Sequence, residues 1–150
     1  MILIPEKVNF KISTTNLDVI YSERSCVKIK FEALLLDNYL NADKYSLIEL
    51  DFRLTAELKC VSMNFSETMY EQYSIFLINE EISDYEFWKL NGYHPNSGFH
   101  QVDDSAWLNE KKLLYDPKNR LELKHFLIEG YDSYIELLAT DYTINIESDN

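Results

Sequence analysis

Basic residues are scarce in this chain of 150: 14 Lys and Arg stand against 26 Asp and Glu, a formal charge of −12. So much negative charge repels a phosphate backbone and argues against a nucleic-acid binder. Glycine is scarcer still, at three residues, which leaves no Gly-rich loop to cradle a phosphate. No Gly-x-Ser-x-Gly elbow is present to carry a serine nucleophile. Cys26 and Cys60 are too few for a disulfide-stapled scaffold or a four-cysteine zinc site. No run of about 18 apolar residues occurs, so nothing reads as a transmembrane helix. The start, Met1 to Lys7, lacks the basic region and apolar stretch of a secretory signal. These absences lead to the expectation of a soluble, cytoplasmic protein with no membrane or nucleic-acid partner.

What is present suffices for one core. Hydrophobic residues make up 46% and aromatics 14%, enough apolar surface for one domain over 1–150, with 147–150 expected as a frayed tail. The acids are unevenly spread. Residues 1–75 carry 11 acids and 8 bases, whereas residues 76–150 carry 15 acids and 6 bases. No base falls between Lys59 and Lys89, a stretch that holds Glu67, Glu71, Glu80, Glu81, Asp84 and Glu86. None follows Lys124 either. Two such stretches on a small domain can merge into a face that attracts a basic partner, although charge runs most often just face water.

The clearest local pattern runs from Ile48 to Cys60, where seven apolar residues alternate with polar ones, the period of a half-buried strand. At ~3.3 Å per residue it would span ~40 Å, long enough to require a bend or bulge. Cys26 to Leu36 alternates in the same way, and Asp37 to Lys44 is rich in turn formers, so the two are expected to form a hairpin. Pairing residues whose numbers sum to 85 sets Lys28 opposite Glu57, Glu32 opposite Arg53 and Phe31 opposite Leu54. That register puts Cys26 on the outer face and Cys60 on the inner one, which argues against a disulfide between them.

Further strands are expected at Val8–Ile12, at Leu17–Tyr21 after a turn at 13–16, at Leu121–Leu127 and Tyr134–Ala139 as a hairpin, and at Tyr142–Ile146. Met69, Tyr70, Tyr73, Phe76 and Leu77 follow helical spacing, the preferred reading, although Tyr73, Ile75 and Leu77 also suit a strand. Ser83-Asp84-Tyr85-Glu86 fits a capping box that opens a helix over 84–90, with Asn91-Gly92 as its left-handed stop. Asp104-Ser105 starts another short helix at Ala106-Trp107-Leu108, and 91–104 reads as loop. The fold class expected is α+β, a single domain dominated by antiparallel sheet with two or three short helices.

No catalytic motif emerges, so the reading is non-enzymatic and without a cofactor. His94 and His100, with Asp103 and Asp104 beyond them, have ligand chemistry for a divalent metal, but their spacing matches no familiar site. His125 falls at an inward strand position, where a hydrogen-bonded core histidine is the simpler account. Glu57-Leu58-Lys59 and Glu122-Leu123-Lys124 echo the acid-x-lysine strands of metal-dependent nucleases, a match that any amphipathic strand produces by alternation.

More suggestive is the interleaving of acids with aromatics. Glu80, Glu81, Asp84, Tyr85, Glu86 and Trp88 form one such cluster, Asp103 and Asp104 a second, and Tyr131, Asp132 and Tyr134 a third. Aromatic rings give large, rigid contact area, and carboxylates steer and pair with Lys and Arg. In size, acidity and this surface character the chain resembles the small cytoplasmic immunity proteins with which bacteria neutralise toxins. The resemblance implies an inhibitor that binds a basic toxin domain and blocks it, with those residues as the contact set. Two other readings stand beside it. One is a small-ligand or metal-binding protein, or an enzyme, that uses the 94–104 loop; the other is an interaction subunit that assembles with its own copies.

Overall fold

The computed structural model describes residues 1–13, 16–24, 26–40 and 44–147, and of Cys26 the backbone alone. Among these residues eleven strands and three helices follow one another. They are β1 (Ile2–Pro5), β2 (Lys11–Ile12), β3 (Asp18–Ser22), β4 (Cys26–Leu34), β5 (Ser46–Phe52), β6 (Thr55–Val61), α1 (Phe65–Thr68), β7 (Ser74–Ile75), α2 (Asp84–Asn91), β8 (Phe99–Val102), α3 (Ala106–Tyr115), β9 (Lys124–Glu129), β10 (Tyr134–Ala139) and β11 (Tyr142–Glu147). One sheet has the order β6-β10-β9-β8-β1-β7, and the other β11-β5-β4-β2, with β3 also paired to β4. All pairings are antiparallel except β1 with β7. The fold is α+β and sheet-dominated, as the alternation implies.

The long alternating segment does bend. It pairs as β5 in one sheet, breaks at Arg53-Leu54, and continues as β6 in the other. Its neighbour does the same, since β10 and β11 are separated only by Thr140 and Asp141 and pair with β6 and β5 respectively. The Thr140 amide donates to the Leu54 carbonyl at 3.1 Å, which ties the two bends together. A register shift at Leu138/Ala139 adds local twist beside the corner. Strands that switch sheets in this way close the corner of a sandwich without a loop.

The bend also moves the hairpin register. Paired numbers sum to 79 and not 85: Lys28 faces Asp51, Lys30 faces Glu49 and Phe31 faces Ile48. The two registers differ by six residues, an even shift, so both keep the same side chains inward and both match unlike charges. Alternation therefore cannot choose between them. The corner decides, because residues 55–61 leave the sheet and pair with β10. Cys60 accordingly lies exposed on an edge strand and not in the core, as a free thiol. The facing of the Cys26 side chain lies outside the described residues, as does the turn expected at Thr14 and Thr15.

Between the sheets lies the main core. Val27, Ile29, Phe31, Ile48, Leu50 and Phe52 meet Phe99, Phe126, Ile128, Ile135 and Leu137, with Phe10 packed among them. Phe52, Phe99, Phe126 and Tyr142 form a ring cluster with centroids 4.8–6.2 Å apart. The far face of the first sheet carries a smaller core of Leu3, Val102, Leu127 and Tyr134 beneath Phe65 of α1. Strand β9 is thus buried on both sides, with Phe126 and Ile128 toward one core and Leu127 toward the other.

Several expectations need correction. Residues 69–77 are not helical. The helix α1 stops at Thr68, Glu71 takes φ 60°, and Ser74–Ile75 pairs in parallel with Ile2 and Leu3. The 91–104 segment is not all loop, for β8 within it is an interior strand between β9 and β1. The tail begins later than expected, because Glu147 still pairs with Leu47; residues 148–150 lie outside the described chain. The capping signals fare better. Ser83 Oγ accepts from the Glu86 amide at 3.2 Å, Gly92 ends α2 at φ 77°, and Ser105 caps α3. No helix among the described residues is long and apolar enough to cross a membrane.

Candidate functional site

Two local devices shape the surface around α2. Upstream, Asn79 folds the chain back on itself: its side chain donates to the Ile82 carbonyl at 2.8 Å and accepts from the Ile82 amide at 3.4 Å. Ser83 then opens α2. On the protein side of the helix, Trp88 is fully buried and its indole donates to Asn9 Oδ1 at 2.6 Å. Tyr39 meets Trp88 edge-on at 5.5 Å and stacks on Tyr85 at 6.0 Å. His94 packs 5.0 Å from Trp88. These rings fix which face of α2 looks outward.

That outward face is a groove. Leu77, Ile78, Asn79, Glu80, Glu81, Ile82 and Phe87 line a concavity of about 420 Å³. Ile82 also borders a second one, of about 450 Å³, with Glu86, Lys89 and Leu90. The floor is apolar and open: Leu77 is 66% exposed and Leu90 78%. Glu80, Glu81 and Glu86 are exposed along it, while Asp84, also exposed, borders a neighbouring concavity with Pro95 and Asn96. Apolar side chains exposed together and rimmed by charge mark a contact surface more often than singly scattered ones do.

Of the residues singled out by sequence, the structure gathers Glu80, Glu81, Asp84 and Glu86 with Tyr85 close by. Trp88 is not on this surface, because it is the anchor beneath the helix. Tyr134 is buried in the smaller core, 5.1 Å from Phe65, while Tyr131 and Asp132 stay exposed at the β9–β10 turn. Asp103 is exposed. The Asp104 carboxylate accepts from the Ile2 amide, and this bond holds it below its ordinary range. Sequence reasoning missed Leu77, Ile82 and Leu90, the apolar half of the groove. Their signal was masked, because Leu77 follows the helical spacing of 69–77 and Leu90 lies inside the helix opened at Ser83, so both read as ordinary core positions.

His94 and His100, which lies on β8, are interior groups. His94 has Nδ1 accepting from the Asn96 amide at 2.9 Å, and burial pushes its pKa down to about 4, with Lys11 adding to the effect. His100 is also fully buried, its Nδ1 3.2 Å from Glu129. Among the described residues no group of three or more His, Cys, Asp or Glu side chains converges to hold a metal. Glu57, half of one acid-x-lysine pair, accepts from Tyr115 OH at 2.8 Å and Trp107 Nε1 at 2.9 Å, which fastens α3 to β6. No family model matches the chain, and no curated protein or solved structure is similar to it.

Proposed function

We propose that the chain works by binding, and that the groove along residues 77–90 takes a basic, partly apolar protein surface. The observation that supports this is the pairing of an exposed apolar floor with three rim carboxylates, Glu80, Glu81 and Glu86. The floor supplies the desolvated contact that holds a complex, and the rim sets the sign of the partner and its rate of encounter. A net charge of −12 adds long-range attraction of the same sign. An inhibitor that neutralises a basic toxin domain by covering its active or substrate surface fits this chemistry. Such a toxin domain is the partner proposed, with the chain acting in bacterial cytoplasm.

The test is capture from the source cell's lysate at low salt, followed by kinetics with the identified protein. Glu80→Lys with Glu81→Lys reverses two rim charges that precede the helix and leave its cap untouched. Association should slow about tenfold or more at low salt and lose most of its salt dependence. Glu110→Lys, on α3, serves as the control and should change little. Equal effects from both, or none from the rim pair, would remove the groove from the account. Relief of the captured protein's toxicity by the wild type, weakened in the rim variant, would establish the inhibitor role.

A further inference from the structure

A second cleft, of about 240 Å³, lies where the start of α3 meets β9 and β10. Ser105, His125 and Glu136 all line it, together with Met1, Val102, Asp104, Ala106 and Trp107. Ser105 Oγ is 2.7 Å from His125 Nδ1, and His125 Nε2 is 3.1 Å from Glu136 Oε1. Ser105 and His125 are 5% and 3% exposed. Nothing in sequence joins these three residues; the pairing of β9 with β10 and the cap of α3 bring them together.

The protons can be placed. A carboxylate beside Nε2 calls for a hydrogen on that nitrogen, and the tautomer that carries it there leaves Nδ1 as acceptor. Ser105 Oγ accepts from the Leu108 amide at 2.9 Å, which leaves its own hydrogen to point at Nδ1. The result is a serine, a histidine and a carboxylate in series. The Nε2 contact is close but off-line, and this buried nitrogen has no aligned hydrogen-bond partner. Such contacts commonly tighten only when substrate is bound. Trp107 backs the imidazole edge-on at 5.0 Å and is itself held by Glu57 and by Lys59, whose Nζ sits 3.4 Å over its ring.

We propose that this cleft is an acyl-transfer site for small esters, with Ser105 as nucleophile, His125 as general base and acid, and Glu136 as the group that orients and balances the imidazolium. Ser105 Oγ bonds to the acyl carbon while its proton passes to Nδ1 and the carbonyl electrons move onto oxygen. The first-turn amides of α3, at Ala106 and Trp107, precede the helix's own hydrogen-bond ladder and are the donors assigned to this oxyanion. The carbonyl re-forms, the ester C–O bond breaks, and the alcohol leaves with the proton from Nδ1. Water repeats the sequence on the acyl-serine, releasing the acid and restoring Ser105. The order differs from the usual triad in that serine meets Nδ1 and the carboxylate meets Nε2; the roles are those by which such triads are recognised.

The test treats the full chain with a small fluorophosphonate and locates the adduct by peptide mass spectrometry. Hydrolysis of p-nitrophenyl acetate is followed in parallel. The expected result is one adduct, on Ser105. His125→Gln should cut the labelling rate by about a hundredfold or more, the range a general base supplies. Ser105→Asn keeps a capping side chain for α3 and should abolish both readouts, with circular dichroism showing the fold intact. Should Ser105→Asn fail to fold, His125→Gln alone decides. No adduct on the wild type, an adduct elsewhere, or unchanged labelling in folded His125→Gln overturns the proposal. None of these outcomes bears on the groove at 77–90.

Discussion

Removing Trp88 tests the physical basis of the groove, because this one side chain holds α2 in place. It is fully buried, donates to Asn9 at 2.6 Å, and contacts the rings of Tyr39 and His94. Trp88→Ala should cost about 3–5 kcal/mol, the range for emptying a large aromatic site. At about 2–4 °C per kcal/mol for a chain of this size, the melting temperature should fall by about 6–20 °C. Trp88→Phe keeps most of the ring but loses the indole hydrogen bond and should cost about 1–2 kcal/mol. Denaturant titration followed by far-UV circular dichroism gives both values, and a cycle with Asn9→Ala isolates the hydrogen bond. A cost below about 1 kcal/mol for Trp88→Ala would mean that α2 is not anchored as described, and the groove would lose its rigid wall.

Two further predictions probe other parts of the fold. Glu49 bridges Lys28 at 2.7 Å and Lys30 at 3.2 Å, and chiefly the Lys28 hydrogen bond holds its carboxyl below the ordinary glutamate range. Its folded pKa is therefore the lower one, so its stabilisation is present above about pH 4.5 and is lost as pH falls through the folded value. Glu49→Gln should lower stability at neutral pH by up to about 1 kcal/mol and flatten the acid limb of a stability–pH curve; an unchanged limb would contradict the pairing. Gly130 lies between β9 and β10, where an added Cβ would come within 2.9 Å of Leu17 Cδ1 and 3.1 Å of the Ser133 carbonyl oxygen. Gly130→Ala should cost about 1–3 kcal/mol by chemical denaturation, and a neutral result would show that the hairpin relaxes freely.

How much of this was legible in the sequence depended on whether the signal was local. The capping box at Ser83 and Glu86, and the stop at Gly92, are read by the backbone within one turn, so α2 ends where the residues say. Strict alternation at Ile48 to Phe52 likewise fixes an inward face. It could not fix the partner register, since shifts by even numbers leave every face unchanged. Strand β8 was hidden because Phe99 to Val102 is only four residues long and follows Pro95 and Gly98. Tertiary pairing on both sides, and not local propensity, makes it a strand. The acid rim of the groove was visible because surface carboxylates rarely bury, whereas Trp88 could equally have been contact or anchor. The Ser105, His125 and Glu136 cluster comes from three separate elements and carries no sequence spacing at all.

The most direct test of the binding account is a titration of isotope-labelled protein with a basic amphipathic peptide of leucine and lysine, read as amide shifts by two-dimensional NMR at low and high salt. Shifts should concentrate at residues 77–90, including Leu77, Ile82, Phe87 and Leu90, and shrink with salt and with Glu80→Lys plus Glu81→Lys. Shifts centred on another surface, or spread evenly over the chain's acids regardless of the groove, would contradict it.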